Sequence, residues 1–262
     1  MNTNTVEKAA KALSESRLKN RKIGLLNEEI RPVAEKDAYE VQDKLHEIIE
    51  KNTGDKVVGH KIGCTTPVMQ QFLSIDNPCA GAVFKSTVHK GNGVFTFDNL
   101  LHPGVECELA VYLKKDLPDT NESYDADSVI DAIESVMPAI EVVDDRWNNY
   151  KLIDTPTLIA DDFFGAGCVL GPPFKDISDL DKTRGSMWIN GNIIGSGTGG
   201  DIMGDPLSAL AWLANSMITR GKQLNSGEFV LLGSLVQTEW VNKGDIVDIE
   251  LEGQGKARAI FN

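Results

Sequence analysis

The sequence predicts an α+β fold: a short helical N-terminal part, then a strand-rich body with two inserted helices. Three observations carry this. Two stretches with helical spacing precede Gly54. After Gly54 the chain becomes rich in Gly and short β-branched runs. Helices and strands then fail to alternate regularly, which argues against a doubly wound parallel sheet.

The first predicted helix covers residues 5–20. Val6, Ala9, Ala10 and Leu13 recur near the helical period, and Arg17 falls on the same stripe. Arg31-Pro32 should be extended. The second helix covers 34–51 on a stripe of Tyr39, Val41, Leu45, Ile48 and Ile49, and Asn52 and Gly54 supply its stop. Strands are expected at 57–63, 82–88, 106–113, 139–143, 168–170, 186–189, 229–232 and 246–251. Asn190-Gly191 reads as a two-residue hairpin turn. The inserted helices are placed at 128–136 and 206–220. The second has Asp205 as N-cap, Pro206 at its first position and Gly221 as stop. This divides the chain into a helical segment, 1–55, and a β-rich catalytic domain, 56–262.

At 262 residues and 41 % hydrophobic composition, the chain can bury a sizeable core, which excludes wholesale disorder. A net charge of −13 disfavours nucleic acid as a partner. The four cysteines form no CxxC pair, so no structural zinc site is expected. No apolar core of signal-peptide length opens the chain, and no apolar run is long enough to span a bilayer. A cytoplasmic protein without membrane contact is the expectation.

Four segments bear on chemistry. In GVECELAVYL, strand alternation puts Glu106 and Glu108 on one face. Paired carboxylates repel unless a cation or proton lies between them, and hard oxygen ligands suit Mg²⁺ or Mn²⁺. An amphipathic strand with a wet acidic face has the same pattern. In PAIEVVDDRW, Glu141 lies inside an apolar run, where burial requires a partner. It reads equally as a cation ligand or as half of a salt bridge with Arg146. In GHKIGCTT, Lys61 is flanked by apolar residues and can polarise a carbonyl or relay a proton, while His60 should face the other way. GSGTGGDIMGDP lacks the GK[ST] of a Walker loop; it is either a carboxylate-binding turn or simply the approach to the Pro206 helix. His102, just before the acidic strand, either reaches the site or caps a loop. No GxSxG or HExxH is present.

Taken in order, AYEVQ at 38–42, GHKIGCTTPVMQ at 59–70, GVECELAVYL, PAIEVVDDR, IAD at 159–161, VLG at 169–171, GDPLSALAWLAN and LLGSL resemble the 2-keto-4-pentenoate hydratase and 4-oxalocrotonate decarboxylase family. That family lies within the fumarylacetoacetase C-terminal fold superfamily. The resemblance covers nearly the whole chain after Glu35. It implies a mixed β-roll body, a homo-oligomer, and a Mg²⁺ or Mn²⁺ centre held by Glu106, Glu108 and Glu141. It also implies Lys61 as the catalytic lysine, with Arg146, Asp161 and Ser234 contacting a small 2-oxo acid substrate.

Three departures fall around the pocket. Cys79 stands where hydratases of the family often carry a proton-transferring Asp. Phe163 and Phe164 replace small residues, and Glu239-Trp240 replaces a more usual apolar or small pair. The leading expectation is a hydratase of a 2-hydroxy-2,4-dienoate. A 2-oxo acid decarboxylase is the alternative that Cys79 favours. A fumarylacetoacetase-type C–C hydrolase would need His60 or His102 paired with an acid. A non-enzymatic partner of a related enzyme is the fourth possibility, opposed by retention of the glutamates and Lys61.

Overall fold

The computed structural model describes residues 1–66, 70–71 and 75–262; positions 67–69 of the GHKIGCTTPVMQ segment lie outside them. Helix α1 spans Thr3–Leu18 and α2 spans Glu35–Thr53. The Asn2 side chain caps α1 by accepting from Thr5 N, and Gly54 ends α2 in a left-handed conformation. Val6, Ala9, Ala10 and Leu13 are buried as the stripe requires. They belong to the same apolar cluster as the body of the protein.

Twelve strands follow among the described residues: β1 Val57–Gly63, β2 Cys79–Phe84, β3 Val88–Lys90, β4 Asn92–Phe95, β5 Pro103–Leu113, β6 Ile133–Asp144, β7 Gly165–Leu170, β8 Arg184–Ile189, β9 Asn192–Thr198, β10 Phe229–Trp240, β11 Ile246–Leu251 and β12 Gly255–Phe261. They form a seven-stranded sheet ordered β2-β1-β10-β5-β6-β7-β3 and a five-stranded sheet ordered β4-β12-β11-β8-β9. The larger sheet curls until β2 and β7 touch, giving a half-barrel. Its convex face carries Val105, Cys107, Leu109 and Val111 of β5 and packs against Val247, Ile249 and Leu251 of the second sheet. Its concave face is plugged by Val83, Ala110, Met137, Ala139, Cys168, Phe229 and Leu231. Short helix α3, Thr155–Ala160, and helix α4, Pro206–Thr219, complete the body. Asp205 caps α4 by accepting from Leu207 N, and Asn190-Gly191 turns between β8 and β9 with both φ angles positive, as expected.

The helix expected at 128–136 does not form. Ser128 N donates to Asp125 Oδ1 at 2.8 Å, and Asp125 N donates back to Ser128 Oγ at 2.8 Å, closing a single turn. One 3₁₀ turn at Ile130–Ala132 then runs directly into β6. The apolar spacing fits either period, and pairing of β6 along the whole of β5 decides it. Pro138 is tolerated inside β6 because its carbonyl side faces Gly171, just beyond the end of β7, where the ladder runs out. The strand expected at 82–88 is also two strands, β2 and β3, separated by a 3₁₀ turn at Lys85–Thr87.

Candidate metal centre

Strand alternation and register bring the three glutamates together. Glu106 and Glu108 share the concave face of β5, and Glu106 pairs directly with Glu141 of β6. One carboxylate oxygen from each lies within 4.8 Å of the others. Among the described residues this is the only such cluster of three acids, cysteines or histidines. Glu108 is 0 % and Glu141 2 % exposed, so bulk solvent does not reach them. Glu108 Oε1 and Glu141 Oε2 accept no hydrogen bond from the described residues. Buried carboxylate oxygens without donors are costly, and an oxygen-seeking divalent cation is the group that fits them.

Two contacts orient this set. Thr238 Oγ1 donates to Glu106 Oε1, and Gly233 N donates to Glu108 Oε2 at 3.1 Å. Gly233 sits at an irregularity in the pairing of β10 with β5, with φ of 132°. A side chain there would meet Thr65 Oγ1 at 2.6 Å, so only glycine brings this amide to the carboxylate.

Lys61 enters the cluster from β1, beside Gly81 of β2 and Leu231 of β10. Its Nζ lies 3.1 Å from Glu141 Oε1 and donates to Phe163 O at 2.8 Å. The Phe163 carbonyl belongs to an unusual segment. Asp162, Phe163 and Phe164 have φ of 51°, 46° and 67°, three consecutive non-glycine residues in the left-handed region. A buried ionic brace holds it. Arg17 reaches Asp161 Oδ1 at 2.7 Å and Asp162 Oδ2 at 2.8 Å, while Arg146 reaches Asp161 Oδ2 at 2.9 Å. His46 Nε2 contacts Asp162 Oδ1 at 2.7 Å, and Ala82 N donates to the same oxygen at 3.0 Å.

Burial, followed by repulsion from Glu141 and Glu106, pushes the Glu108 carboxyl well above its usual range. Burial likewise lifts Glu141 to about 7, against the opposing pull of Lys61. Burial disfavours the Lys61 ammonium, but Glu141, Glu106 and Glu108 override it and raise its pKa. At Asp162, burial raises the carboxyl, and His46 and Arg17 outweigh it, leaving it well below its ordinary value.

Arg146 therefore pairs with Asp161, and Lys61, not Arg146, is the cation beside Glu141. Asp161 is buried with both oxygens engaged, so it anchors the 161–165 segment. Ser234 stands opposite Glu108, with its hydroxyl donating to Val236 O at 2.6 Å. His60 faces away from Lys61, as alternation requires, and lies 3.4 Å from Glu228. His102 Nδ1 is 3.6 Å from Asp145 Oδ2, beyond hydrogen-bond range, and its ring stacks on Trp240. Cys79 is buried, and its contact with Cys64 and its burial both push the thiol pKa up. In the glycine-rich segment, the Thr198 amide is taken by Asp201 at 2.7 Å in a capping box. A side chain at Gly199 would overlap Leu180 O, so that glycine serves packing.

Sequence reasoning did not pick out Thr238, Gly233, His46 or Asp162. Arg17 left one signal: a cation on an otherwise apolar helical stripe.

The fumarylacetoacetate hydrolase C-terminal family covers residues 84–261, and the chain belongs to that family. It is 34 % identical over 228 residues to a 2-keto-4-pentenoate hydratase of Burkholderia vietnamiensis, covering 86 % of this chain and 85 % of the relative. It is 30 % identical over 227 residues to a 4-oxalocrotonate decarboxylase of Pseudomonas putida, covering 86 % and 84 %. The solved 4-oxalocrotonate decarboxylase of Pseudomonas putida G7, complexed with magnesium and adipate, superposes with a TM-score of 0.93 at 28 % identity, covering 100 % of this chain and 99 % of that one.

Proposed function

We propose that this protein is a divalent-metal-dependent lyase that hydrates a 2-hydroxy-2,4-dienoate or its 2-oxo-4-enoate tautomer. The observation that carries the reading is the buried trio of Glu106, Glu108 and Glu141 with Lys61 against it. The similarity to 2-keto-4-pentenoate hydratases supports the choice of reaction.

Glu106, Glu108 and Glu141 would hold Mg²⁺ or Mn²⁺. When bound, the cation supplies Lewis-acid stabilisation of negative charge on the substrate's 2-oxygen. The protein's own residues do the rest. Thr238 and Gly233 fix the carboxylates from behind. The apolar plug of the half-barrel closes the floor of the site and keeps bulk water from it. Lys61, steered by Phe163 O, is placed to hold or hand over a proton at the reacting carbon chain.

Decarboxylation of a 2-oxo acid is the second reading. Cys79 favours it, because a buried thiol with a raised pKa replaces the acid associated with hydration. The C–C hydrolase reading lacks support. His60 points away from the carboxylates, and among the described residues the nearest acid to the His102 ring, Asp145 at 3.6 Å, is beyond hydrogen-bond range. A cytoplasmic homo-oligomer remains the proposed setting; among the described residues no helix is long and apolar enough to cross a membrane.

The test is incubation with Mg²⁺ or Mn²⁺ and a panel of 2-hydroxydienoates and 2-oxo acids, with products read by NMR beside Glu106→Gln. A hydrated product absent from the variant supports the proposal, and a CO₂-depleted one supports the second reading. No metal binding together with no turnover refutes both.

A further inference from the structure

We propose that the seam between β2 and β7 is a port for small molecules, through which water reaches Lys61 and Glu141 while a 2-oxo acid occupies the glutamates from the other side. This rests on the lyase reading above and adds to it the route of the second reactant.

The larger sheet curls without closing. β2 and β7 touch, yet among the described residues no ladder joins them. A cavity of about 630 Å³ lies along this gap, and its lining comes from both faces of the sheet. By alternation Lys61, Val83 and Glu141 belong to the concave face, and Phe84, Asp144 and Gly167 to the opposite one. The cavity therefore runs from the outer surface, at the exposed Ser86 and Asn99, to the back of the carboxylate cluster. Among the described residues that line it, Glu141 is the only member of the glutamate trio. Glu106, the half-buried member, faces the Thr238 side, which leaves that side to the organic acid.

The inner end is narrow. Lys61 is 2 % exposed. A Cβ at Gly165 would lie 3.7 Å from Lys61 Cε and 3.1 Å from Asp162 O, and one at Gly167 would meet Thr87 O at 2.7 Å. Arg146 Nη1 donates to Gly165 O at 3.1 Å beside the same neck. An opening bounded this closely passes water or CO₂ on ordinary side-chain motion and stops a 2-oxo acid. The cations of the lining are committed, Arg17 to Asp161 and Asp162, Arg146 to Asp161 and Lys61 to Glu141, so they offer an organic carboxylate little. The chemistry requires such a route. Hydration adds the H and OH of one water across a carbon–carbon double bond. Decarboxylation breaks a carbon–carbon bond, releases CO₂ and puts a proton on the carbon left behind. In either case a small molecule crosses the wall while the acid fills its own approach, and Lys61 regains a proton only where water meets it.

The test places a thiol in the port. Ala166→Cys puts one in the half-buried lining, and Asn99→Cys puts one at the exposed outer end. Mn²⁺ binding is measured first on the whole protein. Each variant is then treated with methyl methanethiosulfonate, with and without saturating Mn²⁺ and 2-oxohexanoate, and mass spectrometry locates the modification. Position 166 is expected to react at the same rate in both states. Protection of 166 by Mn²⁺ and 2-oxohexanoate would make the cavity the acid's own entrance and overturn the port, as would an inert 166 beside a reactive 99. Benzyl methanethiosulfonate on the Ala166→Cys thiol then plugs the passage, with wild type treated alike as the control. Relaxation of water protons by Mn²⁺ in the 2-oxohexanoate complex is expected to fall. With 2-hydroxypenta-2,4-dienoate kcat drops roughly tenfold or more at unchanged KM, and dithiothreitol, by removing the plug, restores both. Unchanged relaxation and kcat under the plug refute the port and leave the metal centre standing. Absence of Mn²⁺ binding removes the lyase reading and this inference with it.

Discussion

Arg17 and Asp161, 144 residues apart in the chain, meet at 2.7 Å. Through that contact the first helix grips the loop whose Phe163 carbonyl aims Lys61. The helical N-terminal segment thus bears on the site although it lies outside the region matched by the family, residues 84–261.

Arg17→Ala leaves two buried aspartates short of a cation, and breaking a buried pair of this kind costs about 3–5 kcal/mol. The expected result is a lower melting temperature and a fall in kcat of roughly tenfold or more, with Mn²⁺ affinity kept. Arg17→Lys recovers part of the stability and less of the kcat, because one ammonium cannot bridge both aspartates. A variant with wild-type kcat would show that the loop aims Lys61 unaided.

Asp162 provides a pH signature. Its carboxyl is held below its ordinary value, so its stabilisation is fully present above about pH 4 and is lost as pH falls through the lowered value. Melting temperature followed from pH 7 down to pH 3 should drop steeply at the acid end. Asp162→Asn, whose side chain tolerates the left-handed backbone, should melt lower at pH 7 and show a shallower acid limb. Parallel curves for the two proteins would contradict this.

Glu108→Gln separates the cost of the carboxylate cluster from its use. Without metal, the variant loses one of three mutually repelling buried acids and should melt at or above the wild type. With Mn²⁺ at a hundredfold its wild-type Kd, only the wild type should gain, by about 2.7 kcal/mol. Thermal scans with and without Mn²⁺ read the crossover, and identical Mn²⁺ responses would exclude Glu108 as a ligand.

Metal binding should also depend on pH. In the metal-free protein burial lifts Glu141 to about 7, so protons compete with the cation below that point. Apparent Mn²⁺ affinity is expected to rise with pH through about 7, by up to a decade per unit for each acid that must lose a proton, Glu108 being lifted by burial as well. A flat profile between pH 5 and pH 8 would mean that Glu141 takes no part.

Much of this was legible in the sequence because it follows from local periodicity. Alternation in GVECELAVYL put Glu106 and Glu108 on one face, Asp205-Pro206 opened a helix, and Asn190-Gly191 made a hairpin. The 128–136 segment was misread because Ile130, Ile133, Val136 and Met137 satisfy a helical period as well as an extended one. Only the long ladder with β5 distinguishes them. The ionic brace was illegible for another reason. Which acid Arg17 meets depends on two distant segments packing together, and nothing near residue 17 encodes it. Phe163, Phe164 and Trp240 stood out as departures from a resembling family, but the ring contacts that link them through Tyr150 required coordinates.

The run of left-handed residues from Asp162 to Phe164 has an evolutionary consequence. Its shape is set by side chains that clamp it from outside, so its length is fixed while positions 163 and 164 can change identity. Descendants of such a scaffold would diverge by exchanging those two side chains, with insertion or deletion closed to them. Diversity at this pair within an unchanged loop is the pattern to look for among its relatives.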